Sequence, residues 1–219
     1  MEPVFYRDRR ERAAYAAAHF PEALQGRVLD VGCGERHVAE FVRGAYVGLD
    51  RRSPADVRSD LERDRLPFED ASFDAVLCLD VLEHMDAPHA LCSEMARVSR
   101  RWVLLSLPNA YDLTQRWSFV RGRGLPRRYG LPPAPPPERH KWVFGYSEAR
   151  RFARARPDLR VARERAYYPP RGHGLGRWMA YLNRRGRAWW PDLLALSYWA
   201  LLERMSGTSR HRVLADPAA

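Results

Sequence analysis

The sequence has 219 residues, of which 46% are hydrophobic and 29% charged. This composition allows a buried core and excludes a disordered or fibrous chain. The formal net charge is +10, but residues 1–107 carry 15 Lys and Arg against 19 Asp and Glu, whereas residues 108–219 carry 22 against 8. A basic second half raises nucleic acid or an anionic membrane as a partner. The length fits one domain over residues 1–219 rather than two.

Three features bear on the location of the protein. The cysteines are too few and too scattered for a disulfide framework or a zinc site. The N-terminus is charged and has no apolar segment of the kind found in secretory signals. The longest apolar stretch, 188–202, is interrupted by Pro191 and Asp192 and is too short to span a bilayer. We therefore expect a cytoplasmic protein.

The first half of the chain alternates apolar strands with helical segments. Residues 1–26 form an N-terminal unit with a predicted helix over 7–19, and residues 27–107 form the core. The predicted strands of this core are 27–31, 45–49, 57–59, 73–79 and 102–107. Its predicted helices are 37–42 and 88–98. The alternation predicts an α/β fold with a doubly wound, mostly parallel, Rossmann-like sheet.

The second half has a different pattern. Within residues 108–171, we predict a Gly-, Pro- and Arg-rich loop at 121–140, a helix capped by Ser147 at 147–156 and a strand at 159–168. Within residues 172–219, two apolar, Trp-rich stretches at 175–182 and 191–205 are predicted as helices. A last short strand is predicted at 212–215. We expect this helical C-terminal insertion to form a lid above the substrate crevice.

A glycine motif follows the first predicted strand. Gly32 and Gly34 allow close approach of a nucleotide-like ligand, and Asp50 ends the second strand, where a carboxylate can accept hydrogen bonds from ribose. The dinucleotide pattern GxGxxG fails because His37 occupies the third glycine position. Asp30, just before the glycines, disfavours phosphate and suits a cation. Together these features fit S-adenosylmethionine, whose sulfonium and amino groups are positive.

The sequence resembles the class I S-adenosylmethionine-dependent methyltransferases, in the small-molecule group typified by the ubiquinone-biosynthesis O-methyltransferases. The resemblance lies in VLDVGCGE (28–35), YVGLD (46–50) and SDLERDRLPFEDASFDAVLCLDVLEHM (59–85), with a weaker echo in HKWVFGYSEA (140–149). It implies cofactor-binding roles for two groups of residues. Asp30, Gly32 and Gly34 would hold the methionine portion, and Asp50 the ribose.

The same resemblance assigns four more residues to the cofactor pocket. Asp60 and Leu61 would flank the adenine, and Leu79 and Asp80 would line the pocket under the sulfonium. The alternative is that Asp60 and Asp80 only cap strand ends. Acidic residues at consecutive strand ends converge on the crevice where such folds bind ligands, which favours the cofactor role.

The run DVLEH raises the question of a metal. Quinone O-methyltransferases carry a similar acidic run that holds a divalent cation, and Asp80, Glu83 and His84 offer oxygen and imidazole ligands. Many relatives without a metal share the Leu-Glu-His tail. We therefore favour a role in capping and packing and predict no metal.

His140 is the candidate catalytic residue. The resemblance places a substrate-facing histidine at the end of the proline-rich loop, and methyl transfer to a hydroxyl requires removal of a proton, for which histidine is suited near neutral pH. The alternative is a surface histidine of the loop. His84, His89 and His173 are weaker candidates for the same role.

The sequence therefore predicts methyl transfer to a small-molecule acceptor, as O-methylation of a lipophilic or glycan-type metabolite. An RNA methyltransferase using the basic half is the main alternative, although the fourth strand lacks the (D/N)PP(Y/F) motif of amino-methylating nucleic-acid enzymes. A noncatalytic cofactor-binding or membrane-surface protein is the third interpretation. The acceptor atom and the oligomeric state stay open.

The C-terminal segment also suggests a peripheral membrane contact. Aromatic and leucine residues flank an arginine cluster, a pattern typical of interfacial helices. The residues are Trp178, Met179, Tyr181, Leu182, Arg184, Arg185, Arg187, Trp189, Trp190 and the run 193–202. The leucines would serve a core or a dimer contact equally well.

Overall fold

Seven strands form one sheet in the part of the chain that the computed structural model describes, residues 8–52, 54–122, 133–134, 139–168 and 190–205. Their bounds are β1 Gln25–Val31, β2 Arg43–Asp50, β3 Val57–Arg58, β4 Phe73–Leu79, β5 Ser99–Pro108, β6 Leu159–Tyr167 and β7 Ser197–Arg204. The strand order is β3-β2-β1-β4-β5-β7-β6. The pairs among β1 to β5 are parallel, and β7 is antiparallel to both β5 and β6.

Helices cover both faces of this sheet. Their bounds are α1 Arg9–His19, α2 Pro88–Val98, α3 Leu113–Val120, α4 Tyr146–Arg154 and α5 Pro191–Leu194, with 3-10 helices at Pro21–Leu24, His37–Phe41 and Leu82–His84. Residues of α1 pack on one face, with Val28, Leu77 and Trp199, whereas residues of α2 and α4 pack on the other. The predicted doubly wound, mostly parallel α/β sheet is confirmed.

The parallel strands end side by side. Val31, at the end of β1, is in register with Leu49 of β2 and Cys78 of β4. We call the edge at which β1, β2, β4 and β5 end the carboxyl edge. Ligands of open α/β sheets bind in the crevice outside this edge.

One predicted element is wrong. Residues 191–205 do not form a helix: α5 has four residues, and Ser197–Arg204 is a strand in the interior of the sheet. Six consecutive residues of this strand are buried, so both of its faces are apolar and no alternation marks it as a strand. Leucine and alanine, which favour helices, strengthened the wrong interpretation. The predicted helical lid is therefore wrong for this stretch.

Two predicted helices differ in detail from those in the structure. The segment predicted as a helix at 37–42 is a short 3-10 helix, and α4 begins one residue before Ser147, with Gly145 as N-cap. The predictions at 175–182 and 212–215, His173, and the aromatic and arginine cluster at 178–189 lie outside the described residues. Among the helices that the structure describes, none is long and apolar enough to cross a bilayer.

Candidate active site

The two glycines of the turn after β1 allow close packing against Val81 and Arg9. Gly32 has φ +74°, and a Cβ there would lie 2.5 Å from a methyl group of Val81. Gly34 has φ +53°, and a Cβ there would lie 3.0 Å from Nη1 of Arg9. Only glycine adopts such backbone angles without strain. The turn is fixed to the end of β2 because the Gly32 amide donates to the Leu49 carbonyl at 2.8 Å.

Asp50 faces this turn from the end of β2. One carboxylate oxygen accepts a hydrogen bond from the Gly34 amide at 3.1 Å, and the other accepts from the Arg52 amide at 3.1 Å. The side chain is half-buried. Each carboxylate oxygen has more than one lone pair, so Asp50 keeps acceptor capacity for a ligand beside the glycines.

Asp30 lies beneath the turn and is buried, with 3% of its surface exposed. The Tyr46 hydroxyl donates to its carboxylate at 2.9 Å. Burial raises the pKa of Asp30 to about 6, while the Tyr46 hydrogen bond and the Arg12 charge oppose the rise and the Asp50 charge adds to it. A cation bound nearby would favour the ionised form.

This raised pKa predicts a pH-dependent stability effect. The folded state binds the Asp30 proton more tightly than the unfolded state, so the carboxyl group lowers the free energy of unfolding as the pH rises from the ordinary pKa of 3.8 through about 6. We expect Asp30→Asn to raise the free energy of unfolding at pH 8 by about 1–3 kcal/mol, with a much smaller change near pH 4. Urea unfolding at both pH values measures this, and an equal change at both would contradict it.

Asp80 follows β4 and has φ +53°, in the left-handed region that is strained for residues other than glycine. Two contacts hold its carboxylate: Ser106 Oγ donates at 2.5 Å, and Arg12 Nη1 donates at 2.7 Å. Arg12 belongs to α1 and was not foreseen as a site residue. The N-terminal helix therefore brings a cation to the carboxyl edge.

For the other predicted pocket residues, Asp60, Leu61 and Leu79, the structure shows local contacts and burial. Asp60 lies two residues beyond β3, and its carboxylate accepts from the Glu62 amide at 3.1 Å within a local turn. Leu61 is half-buried against the core, and Leu79 is buried in the core on the α1 face. Their roles toward adenine and sulfonium stay predictions.

Three predicted chemical groups meet beyond the end of β4. One carboxylate oxygen of Glu83 and one ring nitrogen each of His84 and His140 lie within 4.8 Å of one another. Glu83 is fully buried and His140 is 8% exposed. The His84 and His140 rings contact edge to face, with centroids 4.6 Å apart. His140 is therefore a buried member of this cluster and not a surface loop residue.

Backbone hydrogen bonds hold the cluster together. The Glu83 carbonyl accepts from the amides of Lys141 and Trp142 at 2.8 and 3.2 Å, and Nδ1 of His84 lies 2.8 Å from the Arg139 carbonyl. Glu83, His84 and His140 also form a donor set that could hold a divalent cation. Asp80 is engaged instead with Ser106 and Arg12. The metal-free site stays a prediction.

The sequence profile of the methyltransferase domain family matches residues 4–185, which include the glycine turn, Asp50 and the Glu83, His84 and His140 cluster. The chain belongs to this family. It is a class I S-adenosylmethionine-dependent methyltransferase, and the recognition made from the motifs is confirmed.

Individual relatives agree with this assignment. The methyltransferase is 34% identical over 97 residues to a ubiquinone biosynthesis O-methyltransferase of Hahella chejuensis, a match that covers 36% of this chain and 41% of that protein. Among solved structures, it resembles a SAM-dependent methyltransferase from Archaeoglobus fulgidus, with TM-score 0.60, 17% identity and coverage of 91% and 96% of the two chains. It also resembles magnesium protoporphyrin IX methyltransferase from Synechocystis PCC 6803 with bound SAH, with TM-score 0.50, 18% identity and coverage of 89% and 80%. At these identities, the two solved structures support the fold.

Proposed function

We propose that the methyltransferase methylates a hydroxyl group of a small, apolar molecule, with His140 as the general base. The observation that carries the proposal is the cluster of buried Glu83 and His140 with half-buried His84, which begins in the segment just after β4 and Asp80. The name of the Hahella relative, an O-methyltransferase, supports an oxygen acceptor.

The residues at the carboxyl edge fit S-adenosylmethionine. Gly32 and Gly34 keep the turn tight, because a Cβ at either position would crowd Val81 or Arg9, and Asp50 would accept from the ribose hydroxyls. The carboxylates of Asp30 and Asp80 suit the ammonium and sulfonium groups, and Arg12 suits the ligand carboxylate. When bound, the cofactor supplies an electrophilic methyl group, and its sulfur keeps the bonding electron pair as the methyl leaves.

The protein contributes proton transfer, alignment and exclusion of water. His140 accepts the hydroxyl proton as the acceptor oxygen bonds to the methyl carbon. The buried Glu83 carboxylate stabilises the imidazolium that results, because opposite charges attract strongly away from solvent. The hydrogen bonds from Lys141 and Trp142 to the Glu83 carbonyl keep the His140 segment beside the end of β4.

Arg12 provides a test of the cofactor part of this proposal. We expect Arg12→Gln to weaken S-adenosylmethionine binding by about tenfold, since a charge-assisted hydrogen bond is lost. Arg12→Lys should restore part of the affinity because it keeps the charge. Calorimetry with S-adenosylmethionine, beside thermal unfolding without it, separates binding from the loss of the Asp80 contact. Equal affinity in wild type and Arg12→Gln would remove Arg12 from the site.

Two observations disfavour the RNA alternative. Four described arginines of the basic half are paired with carboxylates: Arg150 and Arg154 with Glu164, Arg160 with Glu203, and Arg163 with Glu22. These cations are less available to phosphate than the net charge suggests.

The cysteines also argue against a covalent C5 mechanism on a nucleobase. Burial raises the pKa of the Cys33 and Cys92 thiols to about 12, and that of Cys78 well above its usual value. Little thiolate is therefore present at neutral pH to act as a nucleophile.

A substrate survey tests the proposed acceptor class. The full chain is incubated with S-adenosylmethionine carrying a labelled methyl group and hydroxylated aromatic compounds of increasing alkyl-chain length, with total RNA as the comparison. We expect label in the small molecules, with kcat/KM rising with chain length, and none in RNA. Label in RNA alone would overturn the proposal.

A further inference from the structure

The large apolar side chains that are exposed in the described part of the chain fall in a few segments. All fall in residues 111–143 or at residue 190, and none lies on the other elements of the described fold. We call this set the apolar patch, and its members are Tyr111, Trp117, Phe119, Val120, Trp142, Val143 and Trp190. Exposed apolar groups that cluster in this way mark an interaction surface, because scattered single residues are the normal pattern.

The centre of the apolar patch is α3, which contributes no buried residue to the core. Trp117, Phe119 and Val120 are 51%, 50% and 76% exposed. The helix is nevertheless anchored, since the buried Asp112 carboxylate accepts from the Thr114 amide at 2.8 Å and caps its first turn. A fixed helix with exposed aromatic side chains is suited to contact with a partner surface.

Hydrogen bonds join the three segments that carry the patch. The Ala110 amide donates to the Phe144 carbonyl at 3.0 Å, and Nδ2 of Asn109 donates to the Asp192 carbonyl at 2.9 Å. Trp142 is fixed beside the end of β4, because its indole Nε1 donates to the Met85 carbonyl at 2.7 Å. Trp142 is two residues from His140, so the apolar patch borders the candidate active site.

The stretch of sequence that carries most of the apolar patch is basic. Arg121 lies over the Trp117 ring, with Cζ 4.9 Å from the ring centre, and Nε of Arg116 donates to the Tyr111 carbonyl at 2.7 Å. Residues 108–145 contain seven Arg and Lys against two Asp and Glu. One of the two acids, Asp112, is buried as the cap of α3. All members of the apolar patch except Trp190 therefore lie within a segment of net positive charge.

We propose that the apolar patch docks on an anionic lipid bilayer. Trp117 and Val120, three residues apart and therefore on one face of α3, would enter the bilayer interface, Trp142 would lie at the level of the headgroups, and Arg121, over the Trp117 ring, would lie against the lipid phosphates. A second copy of this chain, which carries a net charge of +10, would bring like charge to the basic segment, whereas an anionic bilayer complements it. Docking would hold the His140 side of the enzyme toward the bilayer. It does not depend on His140 being the base or on an oxygen acceptor.

Sedimentation with vesicles tests the docking. The full chain is mixed with vesicles of phosphatidylcholine alone or with roughly one third phosphatidylglycerol, at low and high salt. We expect the wild type to pellet with the anionic vesicles at low salt and much less with the neutral ones, and high salt to reduce binding. Failure of the wild type to pellet with anionic vesicles at low salt would overturn the proposal.

Variants assign the binding to the apolar patch. The double variant Trp117→Ser with Phe119→Ser should weaken the vesicle partition coefficient by about tenfold or more, as should Arg116→Gln with Arg121→Gln. The control is Arg43→Gln with Arg101→Gln, which removes the same charge from exposed positions at the start of β2 and β5. This variant should change the vesicle partition coefficient by less than about twofold. Val120→Ser gives an independent single variant. Wild-type binding by the serine variants would overturn the proposal.

The oligomeric state is the remaining check. Analytical ultracentrifugation without lipid should show one unchanged species for the wild type and the double serine variant. If the wild type self-associates and Trp117→Ser with Phe119→Ser abolishes the association, the apolar patch is an interface between copies of the chain, and the lipid assignment is wrong.

Discussion

Replacement of His140 with alanine should lower kcat by about 100-fold or more while the affinity for S-adenosylmethionine changes little. The expectation follows from the position of His140 in a cluster with Glu83 and His84, none of which is among the residues expected to hold the cofactor. General base catalysis contributes typically 10²- to 10⁴-fold. The measurement is kcat on an acceptor found in the substrate survey, together with calorimetry of cofactor binding.

Two further variants sharpen this test. Glu83→Gln keeps the shape of the side chain but removes the charge that stabilises imidazolium. We therefore expect kcat to decrease, and the acid limb of the pH–rate profile to move to lower pH. His89→Ala is the matched control, because His89 is exposed on α2 and packs against Phe152. We expect its turnover to stay at the wild-type value. A pH–rate profile and kcat that are unchanged in His140→Ala would contradict the catalytic role.

Replacement of Asp50 with alanine should weaken S-adenosylmethionine binding by about 1–3 kcal/mol, the scale of lost charge-assisted hydrogen bonds. The carboxylate lies at the end of β2 and accepts from the Gly34 amide, so the variant removes both the expected ribose contact and a bond that fixes the glycine turn. Calorimetry measures the change. Asp70→Ala, at an exposed carboxylate paired with Arg97, is the control and should bind as the wild type does.

A cofactor analogue separates the two effects of Asp50. An analogue that lacks a ribose hydroxyl should bind the wild type more weakly, but Asp50→Ala should show less of this discrimination, because the contact is already gone. Equal discrimination by both proteins would assign Asp50 to the glycine turn alone. Unchanged affinity for the intact cofactor would remove it from the site.

The sequence predicted the sheet where strands carried local signals. The strands β1, β2, β4 and β5 were foreseen because each contains a short apolar run bounded by Gly, Asp or a helical segment. β7 was missed because Tyr198 to Leu202 are buried on both faces, so that neither periodicity nor residue preference distinguishes the strand from a helix. Its place between β5 and β6 depends on contacts distant in sequence.

In the candidate site too, residues marked by local sequence signals were predicted, and residues brought in by packing were not. Gly32, Gly34 and Asp50 could be placed together because parallel strands end at one edge. Arg12 could not, because it lies 68 residues before Asp80 on a helix with several arginines, and nothing local distinguishes it from a surface residue. The association of His140 with Glu83 was also missed, because chain packing alone brings these residues together.

The most direct test of the central claim, methyl transfer to an oxygen of a small molecule, is NMR of the product formed from S-adenosylmethionine with a ¹³C-labelled methyl group. We expect wild-type enzyme to yield a labelled methoxy carbon in a low-molecular-weight compound, and His140→Ala to yield far less in the same time. Label on a nitrogen or carbon atom, or in RNA, would contradict it.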